Sequence, residues 1–224
     1  MAQQQRDDLA PESRLRVTEI FYSIQGESRP SGWPTVFVRL TGCPLRCQYC
    51  DTEYAFHGGQ WHSIEQIQAE VAEYKPGYVC VTGGEPLAQA NCGLLLSALC
   101  DEGYEVSLET SGAITLEGVD PRVSIVMDIK TPGSGEQARN LLENLDLLKA
   151  SDQLKFVICS RDDYNWAKAM CASRTLTDTC SVSFSPSQPQ QDARELAEWI
   201  LADQLQVRFQ VQLHKYLWGD APGH

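Results

Sequence analysis

Two periodicities alternate along most of the chain. Short runs rich in Val and Ile recur at Val17–Ile24, Val36–Leu40, Tyr78–Val81, Glu105–Glu109, Val123–Asp128, Leu154–Ile158, Ser181–Phe184 and Val207–Gln212. Such runs suit parallel strands buried on both faces. Between them the apolar positions fall at helical spacing. Ser63 caps a predicted helix with Gln66 three residues on; Ile64, Ile67, Val71 and Tyr74 form one apolar face, and Lys75-Pro76-Gly77 ends it. Further helices are predicted over Leu94–Glu102, stopped by Gly103, and over Glu136–Lys149, Asp162–Ser173 and Gln191–Asp203.

This alternation, from about Thr35 to Leu213, is the pattern of parallel strands joined by helical crossovers, hence an α/β fold. Six or seven units are too few for a full eight-unit barrel of about 250 residues, so an incomplete, open barrel or an open sheet is expected. In either case chemistry belongs at the C-terminal ends of the strands. One domain is expected over residues 14–224, preceded by a loose polar tail over residues 1–13.

Composition narrows the function classes. With 42% hydrophobic and 21% charged residues in 224, the chain can bury a core and is not disordered. Its 18 Lys and Arg against 30 Asp and Glu give a net charge of -12, which repels a phosphate backbone or an anionic membrane. A small-molecule substrate or a protein partner is favoured over nucleic acid. The longest apolar stretches, Leu94–Leu96 and Ala98–Cys100, fall far short of the roughly 20 residues of a membrane span, and residues 1–13 carry no targeting pattern. A cytoplasmic protein is therefore expected, and in that compartment nine Cys point to metal or cluster chemistry rather than to disulfides.

The strongest local signal is the stretch TGCPLRCQYCD, which sets Cys43, Cys47 and Cys50 at C-x3-C-x2-C spacing directly after a predicted strand. Chance would give this spacing on the order of 0.01 times per chain of this composition. Three thiolates on one short loop can hold an iron–sulfur cluster with one iron left open. They can also build a zinc site completed by Asp51, His57 or a distant Cys, or simply pack as inert thiols. The next strand runs into Thr82-Gly83-Gly84-Glu85-Pro86, where glycines let backbone approach a ligand and Pro86 can open a helix; alone, this is an ordinary strand-to-helix turn. The remaining Cys80, Cys92, Cys100, Cys159, Cys171 and Cys180 are expected to be small buried hydrophobes.

The Cys loop after one strand and Gly-Gly-Glu-Pro after the next together resemble the radical S-adenosylmethionine superfamily. That resemblance implies an incomplete (β/α)6-type barrel and a [4Fe-4S] cluster on Cys43, Cys47 and Cys50, whose open iron takes the amine and carboxylate of S-adenosylmethionine. A narrower set comprises Glu19–Glu27, Phe37–Pro44, Cys50-Asp51-Thr52, Leu108–Gly112 and Gln212–Tyr216. It is similar to the 7-carboxy-7-deazaguanine synthase family of queuosine and 7-deazapurine biosynthesis. This implies a carbon–nitrogen lyase that contracts 6-carboxy-5,6,7,8-tetrahydropterin to 7-carboxy-7-deazaguanine with loss of ammonia. A 5'-deoxyadenosyl radical would take hydrogen from the pterin, with magnesium assisting.

The same resemblance implies residue roles. Thr52 would bind Mg2+, against the plainer reading of a turn after Asp51. Ile24, Gln25, Gly26, Glu27, Thr82 and His214 would contact the pterin. Arg39, within an apolar strand, would pair with the substrate carboxylate or else sit in a structural ion pair. Tyr49, Asp51, Gly84, Glu85, Asp128, Ile129, Lys130, Ser185, Pro186, Ser187 and Gln188 would contact S-adenosylmethionine. Some relatives carry Gln-Pro where this chain has Ser185-Pro186. Glu109 would bind cofactor or substrate, or cap a turn, and Trp218–His224 extend past the end of the shortest relatives. A homodimer reduced by an external flavodoxin or ferredoxin is implied. The closest competing reading is an activating enzyme for glycyl-radical proteins, which has no need of Gln25–Glu27 or Thr52; a zinc-stabilised binding module is the non-enzymatic alternative.

Overall fold

The computed structural model describes residues 14–219 and 223, so the expected tail over residues 1–13 lies outside the described residues. Nine strands form one sheet: β1 (Arg14–Ile24), β2 (Pro34–Leu40), β3 (Gln60–Ser63), β4 (Tyr78–Gly83), β5 (Glu105–Thr110), β6 (Ser124–Ile129), β7 (Gln153–Ile158), β8 (Ser181–Pro186) and β9 (Arg208–Phe209). Their order is β3-β1-β2-β4-β5-β6-β7-β8-β9. The strands from β2 through β9 in this order run parallel, while β1 pairs antiparallel with both β2 and β3. The two edges do not pair with each other, so the barrel is open, as the unit count requires. No helix among the described residues is long and apolar enough to cross a membrane.

The helices are α1 (Ile64–Glu73), α2 (Cys92–Asp101), α3 (Arg161–Arg174), α4 (Leu176–Thr179), α5 (Ala193–Ala202) and α6 (Leu213–Trp218). The box that starts α1 forms as its sequence predicts: the Gln66 amide donates to Ser63 Oγ at 3.3 Å, and the Ser63 amide donates to Gln66 Oε1 at 2.8 Å. Its buried Ile64, Ile67 and Val71 pack with Leu95, Leu96 and Leu99 of α2 on Val36, Val38, Val79 and Val81 of the sheet. A second core joins β6, β7 and β8 to Tyr164 and Ala167 of α3 and to Leu196 and Ile200 of α5. Leu87 and Val119 touch both cores and make them continuous.

Three expectations are corrected. The helix predicted over Glu136–Lys149 is instead short 3-10 turns at Gln137–Arg139 and Leu142–Leu147. Side-chain bonds compete with helical ones there. Buried Asn144 accepts from the Leu116 amide at 3.0 Å and donates to the Ile114 and Gly112 carbonyls at 2.8 and 3.3 Å, while Asn140 brackets the Lys130 backbone in the same way. The strand predicted over Val207–Gln212 shrinks to Arg208–Phe209, and β3 was not foreseen, because Gln60–Ser63 is a polar edge strand. Of the cysteines expected to be buried, Cys100 and Cys159 are only half-buried, the latter standing at the loop after β7.

The segment after β9 returns across the open side to the loop that follows β1. The Ser28 amide donates to Gln210 Oε1 at 2.9 Å, Gln210 Nε2 donates to the Ser28 carbonyl at 3.3 Å, and the Leu213 amide donates to the Gly26 carbonyl at 3.1 Å. These bonds place α6 at the mouth of the half-closed barrel.

Asn144→Ala is expected to lower unfolding free energy by about 2–4 kcal/mol, since three buried backbone partners lose their bonds. Urea denaturation measures it; a loss under about 0.5 kcal/mol, the range of a neutral surface change, would contradict the role given to Asn144.

Candidate active site

One cavity of about 250 Å³ opens at the C-terminal ends of the strands. The end of β1 and the loop after it bring Ile24, Gln25, Gly26 and Glu27 to it, and β2 brings Arg39. The loop after β2 adds Cys43, Cys47, Tyr49, Cys50, Asp51 and Thr52. Thr82 and Gly84 come from the end of β4, Glu109 from β5, Asp128 and Lys130 from the end of β6, Ser187 from beyond β8, and His214 from α6. Residues far apart in the chain and read separately from the sequence therefore line one cavity.

Five of the residues assigned to the cofactor do not reach it. Glu85 is fully buried, and its carboxylate accepts from the Leu87 amide at 3.0 Å, the Ser111 amide at 2.7 Å, Thr110 Oγ1 at 2.9 Å and the Ser111 hydroxyl. It ties the β4 and β5 loops together. Ile129 sits in the core because strand alternation turns it away while Asp128 and Lys130 face the cavity. Ser185 and Pro186 are buried and paired with Val157 and Ile158, and Gln188 is exposed away from the lining.

The Cys loop rests directly on the Gly-Gly turn. A Cβ on Gly84 would collide with the Gly42 carbonyl and with Cβ of Cys43, and the Glu85 amide donates to that same carbonyl at 2.8 Å. Only glycine allows this approach. The three thiols are half-buried, and burial raises the pKa of each, that of Cys47 to about 11. Such thiols stay protonated until a metal centre displaces the proton. Cys43, Cys47 and Cys50 lie on one loop and line one cavity, a donor set of three thiolates that suits a cluster with one iron left open.

Tyr49 adds a second mark of a ligand. It lines the cavity, yet its buried hydroxyl has no hydrogen-bond partner among the described residues. A buried hydroxyl left unpaired is costly, and a polar cofactor in the cavity would satisfy it. Thr52 Oγ1 donates to Asp51 Oδ1 at 2.8 Å, which leaves the hydroxyl lone pairs available to a hard cation.

A chain of charges crosses the mouth. Lys155 of β7 pairs with Glu27 and lies 3.9 Å from Asp128, which pairs with Lys130 at 2.8 Å. Gln212 Nε2 donates to Glu27 Oε1 at 2.7 Å and to Asp51 Oδ2 at 3.4 Å, and Lys215 pairs with Asp51 at 3.0 Å. Burial would lower the pKa of Lys155, but Glu27, Asp128 and Glu109 outweigh it and hold the ammonium charged. Burial likewise opposes ionisation of Asp128 and Asp51, and the neighbouring lysines reverse this, lowering both. Glu109 moves the other way: burial and the charge of Glu27 raise its pKa, although it accepts from Thr82 Oγ1 at 2.9 Å and from Gln25 Nε2 at 3.3 Å.

Lys155, Gln212 and Lys215 were not foreseen as site residues. Lys155 carried a usable signal, a lone cation inside the apolar run Leu154–Ile158, the same signal that singled out Arg39. Arg39 itself lines the cavity and also makes the structural pair that competed with its substrate role, donating from Nε to Glu19 Oε1 at 2.7 Å.

Comparison with known proteins agrees with this geometry. Residues 37–121 match the model of the radical SAM superfamily. The chain is 47% identical over 219 residues to the 7-carboxy-7-deazaguanine synthase of Chlorobaculum tepidum, covering 96% of this chain and 100% of that one. It is 42% identical to the 7-carboxy-7-deazaguanine synthase of Koribacter versatilis, over 91% and 97% of the two chains. The crystal structure of QueE from Escherichia coli superposes with a TM-score of 0.74 over 90% of this chain and 95% of that one; at 22% identity this is a likeness of fold.

His214 supplies a pH test. Burial lowers its pKa, against the attraction of Glu27 and Asp51. A His whose folded pKa is lowered contributes stability that is present above the unfolded value of about 6.5 and is lost as pH falls through the folded value. Amide hydrogen exchange in residues 213–218 is expected to lose protection on acidification below about pH 6.5, and to do so less in His214→Gln. The same pH dependence in both proteins would contradict a His214 pKa lowered by its partial burial.

Proposed function

The chain belongs to the family of 7-carboxy-7-deazaguanine synthases, radical S-adenosylmethionine enzymes, and from that premise we propose how its cavity carries out the family's reaction. The enzyme converts 6-carboxy-5,6,7,8-tetrahydropterin to 7-carboxy-7-deazaguanine with release of ammonia, a carbon–nitrogen lyase step towards queuosine and other 7-deazapurines. The observation that carries this reading is the identity of 47% across the full length of a synthase.

Cys43, Cys47 and Cys50 are the residues to hold a [4Fe-4S] cluster, for which their shared loop and common cavity are the support. When bound, the cluster and S-adenosylmethionine supply the radical that takes hydrogen from the pterin. The protein's part is to orient, to desolvate and to hold charge. Gly84 and the backbone around it keep the cofactor end of the cavity open, Tyr49 offers its unpaired hydroxyl, and Asp128, Lys130 and Ser187 complete that side. Asp51 stands beside it, at the junction with the substrate end.

At the other end Gln25, Glu27 and Thr82 present donors and acceptors to the pterin edge, with Ile24 and Gly26 shaping the loop and His214 closing over it. Contact of His214 with Gly26, where any side chain would collide, supports that closure. Glu109 bridges Gln25 and Thr82 and serves the substrate end, and Arg39 offers its fork to the carboxylate. Thr52, with Asp51 beside it, is the protein ligand for Mg2+, an ion that otherwise keeps substrate and water oxygens. An external flavodoxin or ferredoxin would supply the electron. The working assembly would be a homodimer, and exposed rings such as Trp33 and Tyr22 are apolar surface a second copy could cover.

The function is tested by anaerobic turnover of iron-reconstituted protein with dithionite, S-adenosylmethionine, Mg2+ and the pterin, read by mass spectrometry. Product lighter than substrate by one ammonia is expected; cofactor cleavage with the pterin intact would contradict the substrate. Cys47→Ala is expected to lose both the cluster absorbance and all cofactor cleavage. Thr52→Ala is expected to keep the cluster and lose the Mg2+ response, and an unchanged response would remove Thr52 from the ion site.

A further inference from the structure

The side chain of Arg39 is held in a particular way. Glu19 and Arg39 are cross-strand partners in the β1–β2 pair, next to a register shift between Val17 and Glu19. One oxygen, Glu19 Oε1, accepts from Arg39 Nε at 2.7 Å and from the Tyr54 hydroxyl at 2.8 Å. The guanidinium carbon lies 5.5 Å from the centre of the Phe21 ring and 5.8 Å from that of Tyr54, and Phe21 is itself stacked on Phe37 at 4.9 Å. The Nε side of the fork is therefore taken, and its plane is held by two rings. No described residue takes up the two terminal amino groups, and Arg39 lines the cavity.

We infer that Glu19 is a positioning residue that sets the carboxylate selectivity of the site, by holding Arg39 with its terminal amino groups turned to the ligand. The inference rests on the pterin reading above. A carboxylate is recognised best by two parallel N–H donors, and such a pair discriminates only when the fork cannot swing away. Without Glu19 the nearby negative charge of Glu109 would compete for the guanidinium. Tyr54 links the arrangement to the Cys loop, because it lies in the short 3-10 helix Glu53–Phe56 that begins directly after Thr52. Glu19 thus ties the substrate-carboxylate end of the cavity to the loop that carries the thiols.

The test compares anaerobic equilibrium binding of 6-carboxytetrahydropterin and of tetrahydropterin, which lacks the carboxylate, to cluster-loaded protein with S-adenosylmethionine. The wild type is expected to prefer the carboxylated pterin strongly. Glu19→Ala is expected to reduce that preference on the order of 10- to 100-fold, the worth of one charged hydrogen bond. Glu19→Gln, which keeps an acceptor oxygen for Nε and for Tyr54, is expected to restore most of it. Tyr54→Phe leaves the ion pair in place and is expected to cost several-fold, so the inference stays testable if the alanine variant fails to fold. An unchanged preference in both Glu19→Ala and Tyr54→Phe would overturn the inference. So would tighter binding of the carboxylated pterin to Glu19→Ala, which would make Glu19 a competing counter-ion. Absence of any preference in the wild type would instead overturn the assignment of Arg39 to the substrate carboxylate, and the inference with it.

Discussion

A lysine inside a barrel of parallel strands has to be answered by carboxylates, and Lys155 is answered from both sides of the opening. Its ammonium pairs with Glu27, carried on the loop after β1, and lies near Asp128 at the end of β6. Removing one member of such a buried pair leaves an uncompensated charge and costs about 3–5 kcal/mol, so the loop and the strand are held to each other. Gln212 then joins Glu27 to Asp51, and Lys215 pairs with Asp51, which docks α6 over the mouth. The open barrel has no strand pairing across its gap, and these polar contacts across the mouth take that place.

The arrangement fits the proposal that one cavity serves two ligands. The end proposed for the cofactor is built from backbone that approaches closely, with Gly84 against Gly42 and Cys43. The end proposed for the substrate is built from side chains already held in pairs, such as Glu27 with Lys155 and Arg39 with Glu19, so few of them need to reorganise when a ligand enters. Arg39 lines the cavity while its Nε is held by Glu19. Oriented charge of this kind costs little to reorganise during a reaction, which suits chemistry where the cofactor supplies the reactivity and the protein controls position.

Much of this was legible in the chain itself. Seven of the nine strands were marked by Val- and Ile-rich runs to within a few residues, and α1 by its capping box, because buried parallel strands and capped helices leave local signals. Local signals failed where distant groups decide the conformation. The stretch Glu136–Lys149 carries a helical pattern but yields to the side-chain bonds of Asn140 and Asn144. The thiols and Gly84 reach the cavity, whereas Glu85 of the same Gly-Gly-Glu-Pro motif spends its carboxylate on Thr110 and Ser111, a partnership that no spacing in the sequence reveals. Lys155 carried a lone-cation signal that was left unused, while the role of Gln212 exists only once the segment after β9 faces the loop after β1.

The most direct measurement is an anaerobic crystal structure of the cluster-loaded protein with S-adenosylmethionine and the pterin. One cavity shared by both ligands requires a cluster held by Cys43, Cys47 and Cys50 alone, the cofactor beside Gly84 and Tyr49, and the pterin between Gln25–Glu27 and Arg39. A fourth protein ligand on the cluster, or a pterin bound outside this cavity, would contradict it.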